Sequence, residues 1–396
     1  VIAGRAVLLG VSGGIASYKA CSIVRQLTDA GAVVDVVMTA SATEFVRPVT
    51  FEALSGRPVL TSLWQRDKAL SHIHLGRESE LIVIAPATAN LLARAASGIA
   101  DDLLTAILLA AEVPVLAAPA MNDNMYAHPA TSANIETLRA RGWSFVGPAT
   151  GPLAEGPSER PGRMVEPEEI VALVERRLRS VGSHLSGKRV LVTAGPTRES
   201  IDPVRVITNP SSGRMGFAVA AAAFARGADV TLVTGPTQLM PPWGVSVKKV
   251  ETTQQLLESV RTALAQSDVL VMAAAPADYM PEESAQTKLA RTEGPITLRL
   301  NPTVDVLAST VDARRSGAIV VGFALETDNG IDRARSKLDE KQLDLIVLNS
   351  VGDPAAGFEA ETNRTTFIAK TEVNELPLMS KREVAERLLD VVETLL

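Results

Sequence analysis

The sequence predicts an α/β protein of two doubly wound, Rossmann-like domains, each a three-layer stack of helices, parallel sheet and helices. Three observations carry that expectation. A chain of 396 residues exceeds what one hydrophobic core usually supports. Short apolar runs of strand length alternate with helix-length stretches, the pattern of a parallel sheet buried on both faces. Two strand-to-helix turns rich in small residues, Gly10-Val11-Ser12-Gly13-Gly14 and Asn209-Pro210-Ser211-Ser212-Gly213, stand near the starts of the two halves. Each would bring backbone N–H groups and a helix N-terminus onto a phosphate.

In the first half, residues 5–10 read as a strand, followed by a helix to about residue 30 and a second strand over 31–38. Residues 81–85 and 113–118 read as two more strands, with a helix over 103–111 between them. An amphipathic helix over 168–181 runs into the polar breaker Gly182-Ser183-His184-Leu185-Ser186-Gly187, which sets the domains at 1–182 and 186–396. Residues 187–193 restart the pattern, with a helix from about 213 to 226 and a strand over 229–234. Further strands fall at 269–274, 318–323 and 343–348, smaller β additions at 296–300 and 365–369, and a closing helix from about 381 to 396. Open parallel sheets of this kind gather ligands at the carboxyl ends of their strands.

Hydrophobic residues make up 46% and charged residues 21% of the chain, a globular balance, and no apolar run reaches the length of a membrane span. No membrane association is expected. A net charge of -6 argues against a nucleic-acid polymer as ligand, because that affinity rests on basic surface. Residues 1–9 lack the basic and long apolar regions of a signal peptide, so a cytoplasmic location is expected. Cys21 is the only cysteine, which excludes an internal disulfide and a multi-cysteine metal cluster; beside Ala20, Ile23, Val24 and Leu27 it reads as a packed core thiol.

A dinucleotide site needs a spaced third glycine and an acid at the end of the second strand to hold the adenosine ribose. Here the second strands end in Met38-Thr39-Ala40 and Val233-Thr234-Gly235, without that acid. Both turns therefore fit a single phosphate tail or a mononucleotide better than a dinucleotide. The bland alternative is a tight turn that serves only close strand-helix packing.

Two more loops fall at strand ends, Pro86-Ala87-Thr88-Ala89-Asn90 and Pro119-Ala120-Met121-Asn122-Asp123-Asn124-Met125. With Ser71-His72-Ile73-His74-Leu75-Gly76 they make the first half resemble the flavin-dependent cysteine decarboxylases. Thr193-Ala194-Gly195-Pro196-Thr197-Arg198-Glu199 and residues 207–216 extend the likeness over nearly the whole chain, to the bifunctional phosphopantothenoylcysteine decarboxylase/phosphopantothenate-cysteine ligases of bacterial coenzyme A synthesis. The resemblance implies a flavodoxin-like flavoprotein half followed by a ligase half.

In the first half the resemblance implies FMN, with Ser12, Gly13 and Gly14 near its phosphate and Thr39, Pro86, Thr88 and Asn90 around it. His72 matches the catalytic base. The resemblance further implies that Ala120, Met121 and Asn122 receive substrate, with Asn122 positioned for its carboxylate. Loss of CO2 from an ordinary amino acid leaves an unstabilised carbanion; oxidation of the cysteine thiol to a thioaldehyde creates the needed electron sink, and decarboxylation then yields an enethiolate. An imidazole titrating near neutrality can move the protons. Read as extended chain, residues 71–76 put His74 on the face of His72, and the plain alternative for His72 is a strand-edge side chain bonded to backbone. One departure stands out. The family carries a proton-donating cysteine in the loop ahead of Pro161-Gly162-Arg163-Met164, and residues 151–160 hold none; Glu155 or solvent is the expected substitute.

In the second half the resemblance implies ligation of 4'-phosphopantothenate to cysteine with CTP and Mg2+, through an acyl-cytidylate. A carboxylate is too poor an electrophile for direct amide formation, and the charge that develops needs preplaced donors and cations. By motif match Asn209 holds the acyl intermediate and the pantothenate moiety, Ser212 and Gly213 take the triphosphate, and Asp278, Lys288, Phe323, Lys337 and Lys341 contact the nucleotide. Lys288 is also the expected catalytic cation. The plain alternative, a solvated i,i+4 face, weighs more on Lys337 than on Lys341, which stands just before a strand. The resemblance further implies a homo-oligomer, first halves as trimers and second halves as dimers, closing into a dodecamer. The alternatives are a ligase whose flavin half is impaired by the lost cysteine, and a flavin-binding regulatory subunit.

Overall fold

In a computed structural model, residues 2–64, 70–291, 297–326, 330–350 and 360–396 are described. The chain divides into two compact units, Val1–Arg179 and Ser180–Leu396. No helix among the described residues is long and apolar enough to cross a membrane.

The first unit is built on strands β1 (Ala6–Val11), β2 (Val33–Met38), β3 (Leu81–Ala87), β4 (Val115–Pro119) and β5 (Ser144–Phe145). All pairings are parallel, in the order β2-β1-β3-β4-β5, the flavodoxin-like order with its switch point between β1 and β3. β3 is buried at every residue, which is why it reads as a continuous apolar run. Helices α1 (Ser17–Asp29), α2 (Pro48–Ser55), α3 (Ser71–Glu78), α4 (Ala89–Ser97), α5 (Leu103–Ala110), α6 (Asp123–Ala127), α7 (Pro129–Ala140) and α8 (Pro167–Arg179) complete the unit. Local chemistry sets several starts: Thr88 caps α4, and Asp102 forms a capping box with Thr105 at α5.

Residues 71–76 are helical, which corrects the extended reading. The alternation of Ser71-His72-Ile73-His74 mimics a strand over four residues only. Burial instead follows a helical repeat through Gly76 and Ser79, with Gly76 set against Ile107 and Ala111 at α5. His74 therefore points away from the face of His72 and pairs with Glu78 at 3.6 Å.

The second unit holds a sheet of β6 (Arg189–Ala194), β9 (Asp229–Thr234), β10 (Ser246–Lys249), β11 (Val269–Met272), β14 (Ile319–Glu326), β15 (Leu345–Ser350), β17 (Thr365–Ala369) and β18 (Val373–Glu375). Its order is β10-β9-β6-β11-β14-β15-β17-β18, parallel through β15 and antiparallel beyond. The first six strands follow Rossmann order, with the switch point between β6 and β11. Three hairpin-like pairs add to it: β7 (Arg198–Ser200) with β8 (Val206–Thr208), β12 (Tyr279–Pro281) with β13 (Leu300–Pro302), and β16 (Thr362–Asn363) with β19 (Met379–Ser380). The β addition expected at 296–300 is thus shifted: residue 296 lies outside the described residues, 297–299 are not strand, and pairing to β12 begins at Leu300. Helices α9 (Arg214–Ala225), α10 (Thr253–Leu264), α11 (Gly330–Glu340) and α12 (Lys381–Leu395) cover the sheet.

Candidate active site

A cavity of about 750 Å³ opens at the carboxyl ends of β1 to β4 in the first unit. Ser12, Gly13, Gly14, Thr39, Thr88, Asn90, Ala120, Met121 and Asn122 all line it. Pro86 does not line it, but its carbonyl accepts from the Ser12 hydroxyl at 2.7 Å. The Ser12 oxygen also bonds Thr88 Oγ1 at 3.0 Å and accepts from the Thr88 N–H at 3.0 Å, tying the β1 turn to the β3 loop. A Cβ on Gly13 would lie 2.7 Å from the backbone carbon and 2.8 Å from the carbonyl oxygen of Ser41. That packing leaves the turn ahead of α1 bare of side chain at Gly13 and Gly14, a cradle suited to a phosphate. The volume and the cradle together fit a flavin mononucleotide.

Asn122 caps α6: its Oδ1 accepts from the N–H groups of Asn124 and Met125 at 2.8 and 3.3 Å. Its Nδ2 is left to donate, and it meets Glu155 Oε1 on the loop that covers the cavity. Further contacts hold that loop down. Ser158 donates to Asp123 at 2.6 Å, Arg160 to Asn124 at 2.8 Å, and the Met121 N–H to Gly162 O at 3.0 Å. A Cβ on Gly162 would stand 2.7 Å from Met121 O, so only glycine permits this approach. The Ser158 hydroxyl and the Arg160 charge hold the Asp123 carboxyl below its usual range.

Three cavity residues escaped sequence reasoning. Lys19, nearly buried, donates to Met164 O and Glu166 Oε1 at 3.0 Å each. Arg94 pairs with Asp102 at 2.9 Å. Burial works against ionisation of Asp102, yet hydrogen bonds from Thr105 and Arg94 keep its pKa low. Their only sequence signal is helical spacing, with Lys19 in the first turn of α1 and Arg94 in the second turn of α4. His72 is absent from the lining; its Nδ1 is buried without a hydrogen-bond partner among the described residues.

In the second unit, Gly213 stands at the N-terminus of α9 with φ 77°, against Gly195, whose N lies 3.3 Å from a hypothetical Gly213 Cβ. Gly195 at the end of β6 (φ 73°) and Gly235 at the end of β9 also pack backbone to backbone, and a Cβ on Gly235 would overlap Pro196 O. Three glycines thus form one bare cradle at the Rossmann switch point. Asn209 Nδ2 donates to Pro276 O at 2.8 Å and approaches Asp278 Oδ2 at 3.5 Å, so these two expected residues meet. Ser212 precedes Gly213 and accepts from Thr237 Oγ1 through its carbonyl at 2.9 Å. Lys341 Nζ pairs with Asp305 Oδ2 at 2.8 Å. Lys288 is exposed, and Phe323 and Lys337 are half-buried on β14 and α11.

Fold and site define the class: a two-unit α/β enzyme with a glycine cradle at the carboxyl edge of each sheet. Residues 2–179 match the flavoprotein family, and residues 185–396 match the DNA/pantothenate metabolism flavoprotein C-terminal domain. The coenzyme A biosynthesis bifunctional protein CoaBC of Mycobacterium tuberculosis is 49% identical, over 99% of this chain and 97% of its own. That of Bacillus subtilis is 45% identical, over 99% and 97%. A solved C-terminal domain of a CoaBC protein is 41% identical, covering 53% of this chain and 96% of its own, with a TM-score of 0.46. The chain belongs to the bifunctional coenzyme A biosynthesis proteins, enzymes that combine a decarboxylase and a ligase activity, and its first half is a flavoprotein domain.

Proposed function

We propose that the second half, residues 186–396, joins 4'-phosphopantothenate to cysteine with CTP, and that the first half, residues 1–182, decarboxylates the product to 4'-phosphopantetheine. The observation that carries this is the cavity of the first unit, where a phosphate cradle and the Asn122 amide donor open on one space. A carboxylate already sits on that donor in the form of Glu155, which supports a substrate carboxylate as its ligand.

Bound FMN supplies the reversible thiol oxidation that makes the electron sink. Ser12, Gly13 and Gly14 would hold its phosphate and Thr39, Thr88 and Asn90 its flank. Asn122 orients the departing carboxylate, His72 moves a proton, and Glu155 returns the last proton to the enethiolate carbon. His72 lies off the cavity of its own unit, so a trimer of first halves is the arrangement in which its ring reaches a neighbouring cavity. Exposed Ile15, Tyr18, Phe45 and Val49 support such self-association.

In the second half, Asn209 holds the acyl group, while Ser212, Gly213 and Lys288 face the triphosphate, with Asp278, Phe323, Lys337 and Lys341 as further nucleotide contacts. Among the described residues no three His, Cys, Asp or Glu side chains cluster as a metal cage, so Mg2+ would be held chiefly by phosphate oxygens. Exposed Val204, Tyr279, Met280 and Leu300 on the hairpins support pairing of second halves as dimers, and with the trimers a dodecamer. CTP as co-substrate makes this a cytoplasmic reaction.

The test is one assay on purified protein: its flavin spectrum, and its conversion of phosphopantothenate, cysteine and CTP with Mg2+. Yellow protein that releases pyrophosphate and CO2 and makes phosphopantetheine is the expected result. Arrest at phosphopantothenoylcysteine would leave a ligase with an impaired flavin half.

A further inference from the structure

Among the described residues the second unit buries two carboxylates, Asp202 and Glu199, that neither nucleotide nor acyl chemistry uses. Asp202 lies in the turn that closes the β7 and β8 hairpin and is 1% exposed. Its Oδ1 accepts from the N–H groups of Val204 and Arg205, both at 2.8 Å, which is ordinary turn chemistry. Its Oδ2 accepts from the Arg205 guanidinium at 2.6 Å and from the Leu289 N–H, 87 residues away, at 3.2 Å. The same guanidinium donates to Leu289 O at 3.1 Å, so one ion pair grips both backbone groups of Leu289. A second link, Ala285 N–H to Ile201 O at 2.9 Å, docks the other side of the segment on the same turn. Lys288 sits between these two attachments.

The turn is itself fixed. The buried Glu199 carboxylate takes the N–H and the hydroxyl of Thr253 at 2.8 Å each, anchoring β7 to the start of α10. β8 runs directly into Asn209. One rigid hairpin therefore ends in Asn209 at its base and grips the Lys288 segment at its tip.

We propose that Asp202, acting with Arg205, is a positioning residue for nucleotide activation: it fixes the backbone at Leu289 so that the flexible Lys288 stem starts from a set point relative to Asn209. This rests on the reading of Lys288 as a triphosphate cation. A lysine on a docked backbone loses less freedom on meeting phosphate than one on a free loop, and the advantage appears at subsaturating nucleotide.

The test is Asp202→Asn in the full-length protein. Asparagine has one acceptor oxygen where Asp202 uses two, so the Leu289 bond or the turn bonds are lost. The KM for CTP should rise about tenfold, with kcat at saturating CTP held within about threefold. The KM for cysteine, decarboxylation of supplied phosphopantothenoylcysteine and the oligomeric state should not move, and hydrogen exchange at the Leu289 amide should accelerate. Burial opposes ionisation of Asp202, but its hydrogen bonds hold the pKa at about 2, so the KM ratio should be flat between about pH 6 and 9. If Asp202→Asn fails to fold, Leu289→Pro removes the donor from the loop side and should give the same KM shift. An unchanged KM for CTP with accelerated exchange overturns the proposal, as does a joint loss of kcat and both KM values. Lys288→Gln separates the premises: unchanged CTP kinetics there refutes the Lys288 assignment, and the exchange result still reports whether the clamp exists.

Discussion

The Asn122 amide donates to the Glu155 carboxylate while its own oxygen caps α6, so the side chain cannot turn over without losing the cap. Its N–H face is thereby fixed toward the cavity. On the proposed function, Glu155 occupies the donor that a substrate carboxylate would claim, and arrival of substrate would free Glu155 beside the reacting atoms.

Glu155→Gln keeps an acceptor for Asn122 but has no proton to give. Decarboxylation of phosphopantothenoylcysteine is expected to fall by about 10²–10⁴-fold with flavin content unchanged. A rate within about threefold of the native enzyme would assign the last proton to solvent.

Gly13→Ala places a methyl against the Ser41 carbonyl and must push the β1 turn off its position. Overpacking of this kind costs about 1–3 kcal/mol, which corresponds to flavin retention weakened by about 10–100-fold. The visible spectrum after purification reads the loss directly. CTP-dependent pyrophosphate release by the second unit should stay at its native level.

His72→Asn should retain FMN, since the ring does not line the cavity, and lose CO2 release by about 10²-fold or more. Mixed oligomers of His72→Asn and Glu155→Gln subunits should exceed either parent. No gain on mixing would mean that each subunit uses only its own His72.

Lys341 is neutralised by Asp305, a carboxyl that burial would push up and that the hydrogen bond from Lys341 brings below its usual range. Asp305→Asn keeps an oxygen for the Ala308 N–H and releases the ammonium. The KM for CTP should fall, by up to about fivefold given the part exposure of the pair. Lys341→Gln should raise it, and pyrophosphate release against CTP concentration measures both.

The sheet strands were legible because a doubly covered parallel sheet demands unbroken apolar runs, as in β3 and β11. The hairpins β7 with β8 and β12 with β13 were not. They are short and mostly exposed, and the hydrogen bonds that hold them come from far along the chain. α3 was misread because polar and apolar residues alternate at its start, and only packing against α5 reveals its period. The strand-end loops at 86–90 and 119–125 could be assigned to one ligand face from topology alone. Gly195 and Gly235 could not, since a backbone approach between two turns leaves no pattern in either. Nor does a sequence disclose that a single aspartate turn at 202 reaches Leu289.

The loop over the first cavity is clasped shut by Glu155 on Asn122, Ser158 on Asp123, Arg160 on Asn124 and Gly162 on Met121. Anything that enters must first compete with the protein's own chain, so measured affinity is the intrinsic affinity scaled by the fraction of time the clasp is undone. That toll falls unequally. On the proposed function, a ligand with a long pantothenoyl arm would recover the lost contacts along its length. Free cysteine, which carries the same thiol and carboxylate, has no arm with which to do so. On the proposed function the cover would act as a sieve for size, keeping a co-substrate of one activity from being consumed by the other.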